Sequence, residues 1–232
     1  YLTEQGITIL NNVTLDSVSN DDNKPVIKAN NQNYTFDAVL YATGRKANTA
    51  NIGLEHTDIA TNERGAIVVN DTCESSVPGV YAVGDVNGGP QFTYVSLDDF
   101  RIVFGALTGN SQYTLKDRKN IPYTTFLTPP LSRVGLTEED AINQGYMVKT
   151  KEMLVATMPR AHVNDYLKGA FKIVVDAKND LILGATLYSQ GAEELINLIK
   201  MAMDNNIPYT YFKNQIFTHP TMAENLNDLC NF

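Results

Sequence analysis

Two apolar runs climb to a glycine and stop at a charged residue: Val39-Leu40-Tyr41-Ala42-Thr43-Gly44-Arg45 and Gly79-Val80-Tyr81-Ala82-Val83-Gly84-Asp85. Short β-branched and aromatic runs of this kind read as buried strands, and a terminal glycine lets a second backbone or a ligand come close. In open α/β sheets, nucleotides bind at the carboxyl ends of strands. Asp85, just past such an end, therefore stands as a candidate ligand contact, its carboxylate suited to accept from a sugar-like hydroxyl. The pairing points to a dinucleotide. Yet the chain lacks G-x-G-x-x-G followed by an acid about 20 residues on, the fingerprint of a self-sufficient dinucleotide domain. Its start at Tyr1, in what reads as a helix end running into a strand at Ile7–Leu10, is read as the interior of a longer polypeptide.

Bulk properties narrow the function classes. The chain has 232 residues, 43% of them hydrophobic, enough for one large or two ordinary domains with real cores. A net charge of -8 repels polyanions overall, so nucleic acid is not an expected partner. No apolar run approaches the roughly 18 residues that span a bilayer, so no membrane partner is expected either. Cys73 and Cys230 are the two cysteines and form no close-spaced pair, which excludes a disulfide-stapled fold. The expected location is the cytoplasm, with reduced thiols and no metal site.

Along the chain, Ile7–Leu10, Val13–Val18, Pro25–Ala29 and Tyr34–Phe36 read as short strands divided by Asn- and Asp-rich turns. Ala66–Val69 reads as another. Thr93–Leu107 reads as a helix whose apolar face comprises Tyr94, Leu97, Phe100, Ile102, Phe104 and Leu107. The charged stretch Lys116–Asn120 marks a domain boundary. Beyond it, Thr137 caps a helix with acids in its first turn. Met153–Met158, Phe171–Asp176 and Leu181–Tyr188 read as strands, and Gly191–Asp204 and Thr221–Leu229 as helices. Strands with helices packed on them predict an α+β second domain after an α/β first part.

One further motif carries chemistry: Phe217-Thr218-His219-Pro220-Thr221-Met222-Ala223-Glu224. A histidine titrates near neutrality unaided, and a carboxylate that orients it completes a general acid/base pair. Thr221-x-x-Glu224 is also a capping box, and one carboxylate can serve both roles. His56 and His162 lack clustered ligands and read as surface residues. Arg133 suits an ion pair or an anion contact. Asp98 and Asp99 read as helix-dipole acids.

The order of these motifs, together with Gln91–Val103, Thr128–Glu139 and Gln215–Pro220, resembles the C-terminal half of the pyridine nucleotide-disulfide oxidoreductases. That family includes glutathione reductase, dihydrolipoamide dehydrogenase and mercuric reductase; the RclA-type branch is the nearest likeness. The resemblance implies residues 1–40 as the end of an NAD(P)H domain, 41–117 as a returning part of an FAD domain, and 118–232 as an α+β homodimerisation domain. It implies FAD as cofactor and NAD(P)H as substrate. Gly44, Arg45, Gly84, Asp85, Phe92, Thr93 and Tyr94 would contact the flavin, while His219 and Glu224 would form an acid/base dyad acting on a dithiol of the other subunit. It further implies a cis His219–Pro220 bond, redox cysteines upstream of Tyr1, and hypothiocyanous acid or Cu(II) as acceptor. A non-catalytic dimerisation or scaffold module is the rival reading.

Overall fold

The structure, a computed structural model, describes residues 1–110 and 112–232, and it divides into two units, Tyr1–Leu115 and Lys116–Phe232. In the first unit, β1 (Leu15–Asp21), β2 (Lys24–Ala29) and β3 (Gln32–Thr35) form an antiparallel meander. Its two turns hold Asp22-Asn23 and Asn30-Asn31 at positive φ, the left-handed conformation that Asn and Asp tolerate and tight hairpins demand. α1 (Thr93–Leu107) has the bounds read from the sequence, but of its expected apolar face only Ile102 is buried. Val95, Asp99 and Ile102 are buried, whereas Tyr94, Phe100, Phe104 and Leu107 are more than half exposed.

The two glycine-ended runs are not strands here. Val39–Gly44 has no strand assignment, Leu40 is 89% and Tyr41 78% exposed, and Tyr81 makes only an isolated bridge to Glu74. Ile7–Leu10 likewise has no strand assignment, and Ala66–Val69 is reduced to isolated bridges at Ile67 and Val69. The physical reason is the same in each case. Apolarity favours burial, but a strand exists only through the ladder of a neighbour, and the described segments supply at most isolated bridges.

The second unit has an antiparallel sheet in the order β4-β5-β8-β7-β6: Tyr123–Thr125, Leu131–Gly135, Ile182–Tyr188, Ala170–Asp176 and Val148–Leu154. On β7, Phe171, Ile173 and Val175 alternate inward and are fully buried, as period-two patterning requires. Against this core lies α4 (Ala192–Asp204), whose Ala192, Leu195, Ile196, Ile199 and Ala202 form a helical apolar stripe. Gly135, at φ 70°, ends β5 where an added Cβ would lie 2.2 Å from the Leu183 carbonyl oxygen, so only glycine permits the approach of β5 to β8.

α2 (Glu138–Asn143) is capped as expected. The Asp140 amide donates to Thr137 Oγ1 at 2.9 Å, and the Thr137 amide donates back to Asp140 Oδ2 at 3.2 Å. Three short helices complete the unit: α3 (Pro159–Val163), α5 (Tyr209–Asn214) and α6 (Asn225–Leu229). Neither α3 nor α5 is legible in the sequence. The strand expected at Met153–Met158 is misplaced: β6 runs Val148–Leu154 and shares only Met153 and Leu154 with it, a 3-10 turn at Val155–Thr157 taking up most of the rest. α6 begins at Asn225, not Thr221.

Candidate functional sites in the two units

In the first unit the site is built from one tight turn and the start of α1. A 3-10 turn spans Gly84–Asn87, with Gly84 at φ 73° and its hypothetical Cβ 2.6 Å from Ser96 Oγ. The turn is fixed from below by Asp99, which is fully buried on α1. Asp99 Oδ2 accepts from the Gly84 amide at 2.7 Å and from Asn87 Nδ2 at 2.9 Å. The adjacent Asp85 side chain is left half exposed, lining an open cavity of about 560 Å³ with Arg45, Lys46, Asn62, Arg64 and Gln91. Arg45 Nη1 lies 3.9 Å from Asp85 Oδ2. Gly44 sits in the loop before Arg45 with open space where a Cβ would stand.

Phe92 is the N-cap of α1, with Thr93 and Tyr94 opening the helix; no side chain caps this end and its first turn holds no acid. The leading N–H groups of a helix lack intrahelical partners and carry the positive end of its dipole. The arrangement can accept hydrogen bonds from hydroxyls at Asp85 and stabilise negative charge at the helix start. Tyr94 also accepts from Arg101, whose Nη2 lies 3.1 Å from the phenol oxygen and whose guanidinium is held above its ordinary pKa by that bond. Asp99 is the residue that sequence reasoning misassigned. It is not a solvent-facing dipole acid but the buried anchor of the Gly84–Asp85 turn.

In the second unit the site is a single dyad. His219 Nδ1 lies 2.7 Å from Glu224 Oε2. The other carboxylate oxygen, Oε1, accepts from the Thr221 amide at 3.1 Å, and the Glu224 amide donates to Thr221 Oγ1 at 3.2 Å. One carboxylate thus orients the imidazole and closes the reciprocal Thr221–Glu224 bonds of a capping box, which here tie the turn before α6 and do not cap the helix itself. The His219 side chain is 69% exposed and Glu224 only 18%, so the pair adds little stability in water. What it does is fix the ring: with Nδ1 committed to Glu224, Nε2 is the nitrogen left to take or give a proton. The His219–Pro220 peptide is cis, as is Thr128–Pro129. Asn225, missed in the sequence, is buried and donates from Nδ2 to the Thr221 and Met222 carbonyls, both at 3.1 Å.

The remaining candidates resolve into local structure. His162 Nε2 lies 2.8 Å from the Ala156 carbonyl oxygen, and His56 pairs with neighbouring Glu55. Arg133 stacks over Tyr123. Cys73 and Cys230 are fully buried and not joined in a disulfide. Burial pushes the Cys230 thiol up to about 12, which leaves it inert as a nucleophile. Among the described residues no helix is long and apolar enough to cross a membrane.

Comparison with known proteins decides the family. The profile described as pyridine nucleotide-disulphide oxidoreductase matches residues 1–99, and its dimerisation-domain profile matches residues 121–230. The chain belongs to the pyridine nucleotide-disulfide oxidoreductases. It is 44% identical over 228 residues to the probable pyridine nucleotide-disulfide oxidoreductase RclA of Escherichia coli, covering 98% of this chain and 52% of that protein. It is 34% identical to a mercuric reductase of Staphylococcus aureus, covering 97% of this chain and 42% of that enzyme. Among solved structures, the Cu(II) complex of the HOCl-induced flavoprotein disulfide reductase RclA from Escherichia coli superposes with a TM-score of 0.94 at 44% identity. That match covers 99% of this chain and 52% of the other. The chain spans about half the length of the curated relatives it matches.

Proposed function

We propose that this chain supplies the flavin-facing turn, the dimer contact and the proton-transfer group of an FAD-dependent NAD(P)H:disulfide or oxidant oxidoreductase of the RclA type. In this reading, residues 1–40 close an NAD(P)H domain, 41–117 belong to the FAD domain, and 118–232 form the homodimer contact. The donor set fits FAD. An uncapped helix start at Phe92–Tyr94 suits the electron-rich edge of a flavin, and the half-exposed Asp85 suits a ribityl hydroxyl. Arg45, drawn to Asp85, and the open space at Gly44 leave room for the same ligand. When bound, the flavin would relay the electrons of NAD(P)H to a disulfide, which becomes a dithiol.

The observation that carries the catalytic part is the exposed His219 imidazole, locked through Nδ1 by Glu224 and lying outside its own unit's buried core. Its Nε2 would take the proton from one thiol, holding that sulfur as the thiolate, and return it to the sulfur that leaves. A disulfide of the second subunit is the group it would serve. The terminal acceptor would be a small oxidant, with hypothiocyanous acid and Cu(II) as the candidates. Cu(II) is the ion that accompanies RclA in two related structures.

The test is His219→Ala in the assembled flavoenzyme. Turnover is expected to fall about 10²–10⁴-fold, the usual contribution of a general acid/base, while the yellow flavin is retained. Unchanged turnover refutes the role. Sedimentation of the same protein tests the dimer, and a strict monomer at high concentration contradicts it.

A further inference from the structure

Asn227 is a polar side chain whose reach is not explained by the helix that carries it. Its Nδ2 donates to the Phe212 carbonyl at 2.6 Å, to the Gln215 carbonyl at 2.9 Å, and more distantly to the Lys213 carbonyl at 3.3 Å. Phe212 and Lys213 lie at the end of α5, where carbonyls are left short of intrahelical partners; the Phe212 carbonyl also accepts from the Gln215 amide at 3.3 Å. Gln215 is different: it lies past the last helical residue, at the start of the extended stretch that leads through Ile216, Phe217 and Thr218 to His219. Gln215 is also the C-cap of α5, in extended conformation, so a bond to its carbonyl both closes the helix end and fixes the direction in which that stretch departs. Ile216 is 92% exposed and adds no packing, so along this stretch Phe217, partly buried against the core, is the apolar contact that works beside the Asn227 bond.

The grip has a second end on the same helix. The Asn227 amide donates to the Glu224 carbonyl at 3.0 Å, so the two side chains stand one turn apart. Glu224 holds the imidazole and Asn227 holds the segment that delivers it. α6 is itself anchored: Leu226 and Leu229 are fully buried, and Lys151 Nζ, on β6, donates to the Asp228 carbonyl at 2.7 Å.

We infer that Asn227 is the positioning residue of His219, fixing both ends of the 215–224 loop on one helix so that the imidazole is presented in a single place. The inference rests on the proton-transfer reading of His219. Catalytic groups misplaced by about 1 Å lose on the order of a hundredfold in rate, so a clamp of this kind would be felt in turnover.

The test uses Asn227→Asp, which keeps the shape but replaces the donating amide with a group that repels three carbonyls. Asn227→Ser is the milder companion, retaining one donor. Amide hydrogen exchange of residues 216–219 is followed beside turnover and flavin reduction in the assembled flavoenzyme. The expected result for Asn227→Asp is exchange at least about tenfold faster in that segment and turnover about 10–100-fold lower. Reduction of the flavin by NAD(P)H should keep its rate, because that half-reaction does not use His219. Asn227→Ser should fall between, and if Asn227→Asp does not fold, the serine variant alone decides. Unchanged loop exchange and turnover overturn the positioning role, as does an equal slowing of both half-reactions, which marks a merely structural residue. Should His219→Ala retain turnover, the proton-transfer reading fails; loop exchange in the Asn227 variants still reports whether the clamp exists.

Discussion

Asp99 offers the sharpest test of how the first unit builds its site. Its fully buried carboxylate accepts from the Gly84 amide at 2.7 Å and from Asn87 Nδ2 at 2.9 Å. Asp99→Ala removes both acceptor contacts and strands a buried N–H. Hydrogen bonds to a charged acceptor contribute about 1.5–3 kcal/mol each, so losing two that share one acceptor costs about 3–5 kcal/mol. Asp99→Asn keeps an acceptor oxygen and loses the charge, so about 1–2 kcal/mol is expected. The assay is hydrogen exchange of the Gly84 amide, with urea unfolding as the global control. Each ~1.4 kcal/mol is a decade in an equilibrium constant. The alanine variant should therefore expose that amide two to three decades faster, and the asparagine variant about one decade. A change below about tenfold in Asp99→Ala would show that the turn holds its shape without the buried acceptor.

Asp85→Ala should lower flavin occupancy of the assembled enzyme, read as the ratio of flavin to protein absorbance; full occupancy removes Asp85 from the cofactor site. Glu138 is held below its ordinary value of 4.5 by its hydrogen bond and ion pair with Lys172. A carboxylate depressed in the fold stabilises at pH above 4.5, and that stability drains away as pH falls through the lower folded value. Glu138→Gln should flatten the acid limb of the second unit's unfolding midpoint and leave it unchanged at pH 7 relative to a Lys172→Met/Glu138→Gln double variant. The Cys230 thiol, raised from 9.0 to about 12, keeps its proton in the fold while the unfolded thiol ionises. Stability from its burial is complete below pH 9.0 and is lost as pH rises toward 12. A disulfide reagent at pH 8 should leave Cys230 untouched in the native protein and modify it after urea; prompt native labelling would contradict the burial.

Local rules made α1, the Thr137 cap, the hairpin turns at Asp22-Asn23 and Asn30-Asn31, and the strands β7 and β8 legible in the sequence. Each depends on residues within a few positions of one another: a cap, a stop, a left-handed pair, an alternation. The short α5 was illegible because six residues carry too little periodicity, and its Tyr209 and Phe212 are helical by virtue of packing into the core.

The chain's motif order, taken alone, determined its family and brought His219 and Glu224 to attention, because a capping box and an acid/base pair are both written in six adjacent positions. Tertiary structure decided the rest. It buried Asp99 under the Gly84 turn, set Asn227 across to a carbonyl beyond α5, and left Val39–Gly44 unpaired. Hydrogen-bond partners far apart in sequence, and strand neighbours that must come from elsewhere, are not encoded in any local pattern; they exist only once the backbone has been folded to bring them within 3 Å or so.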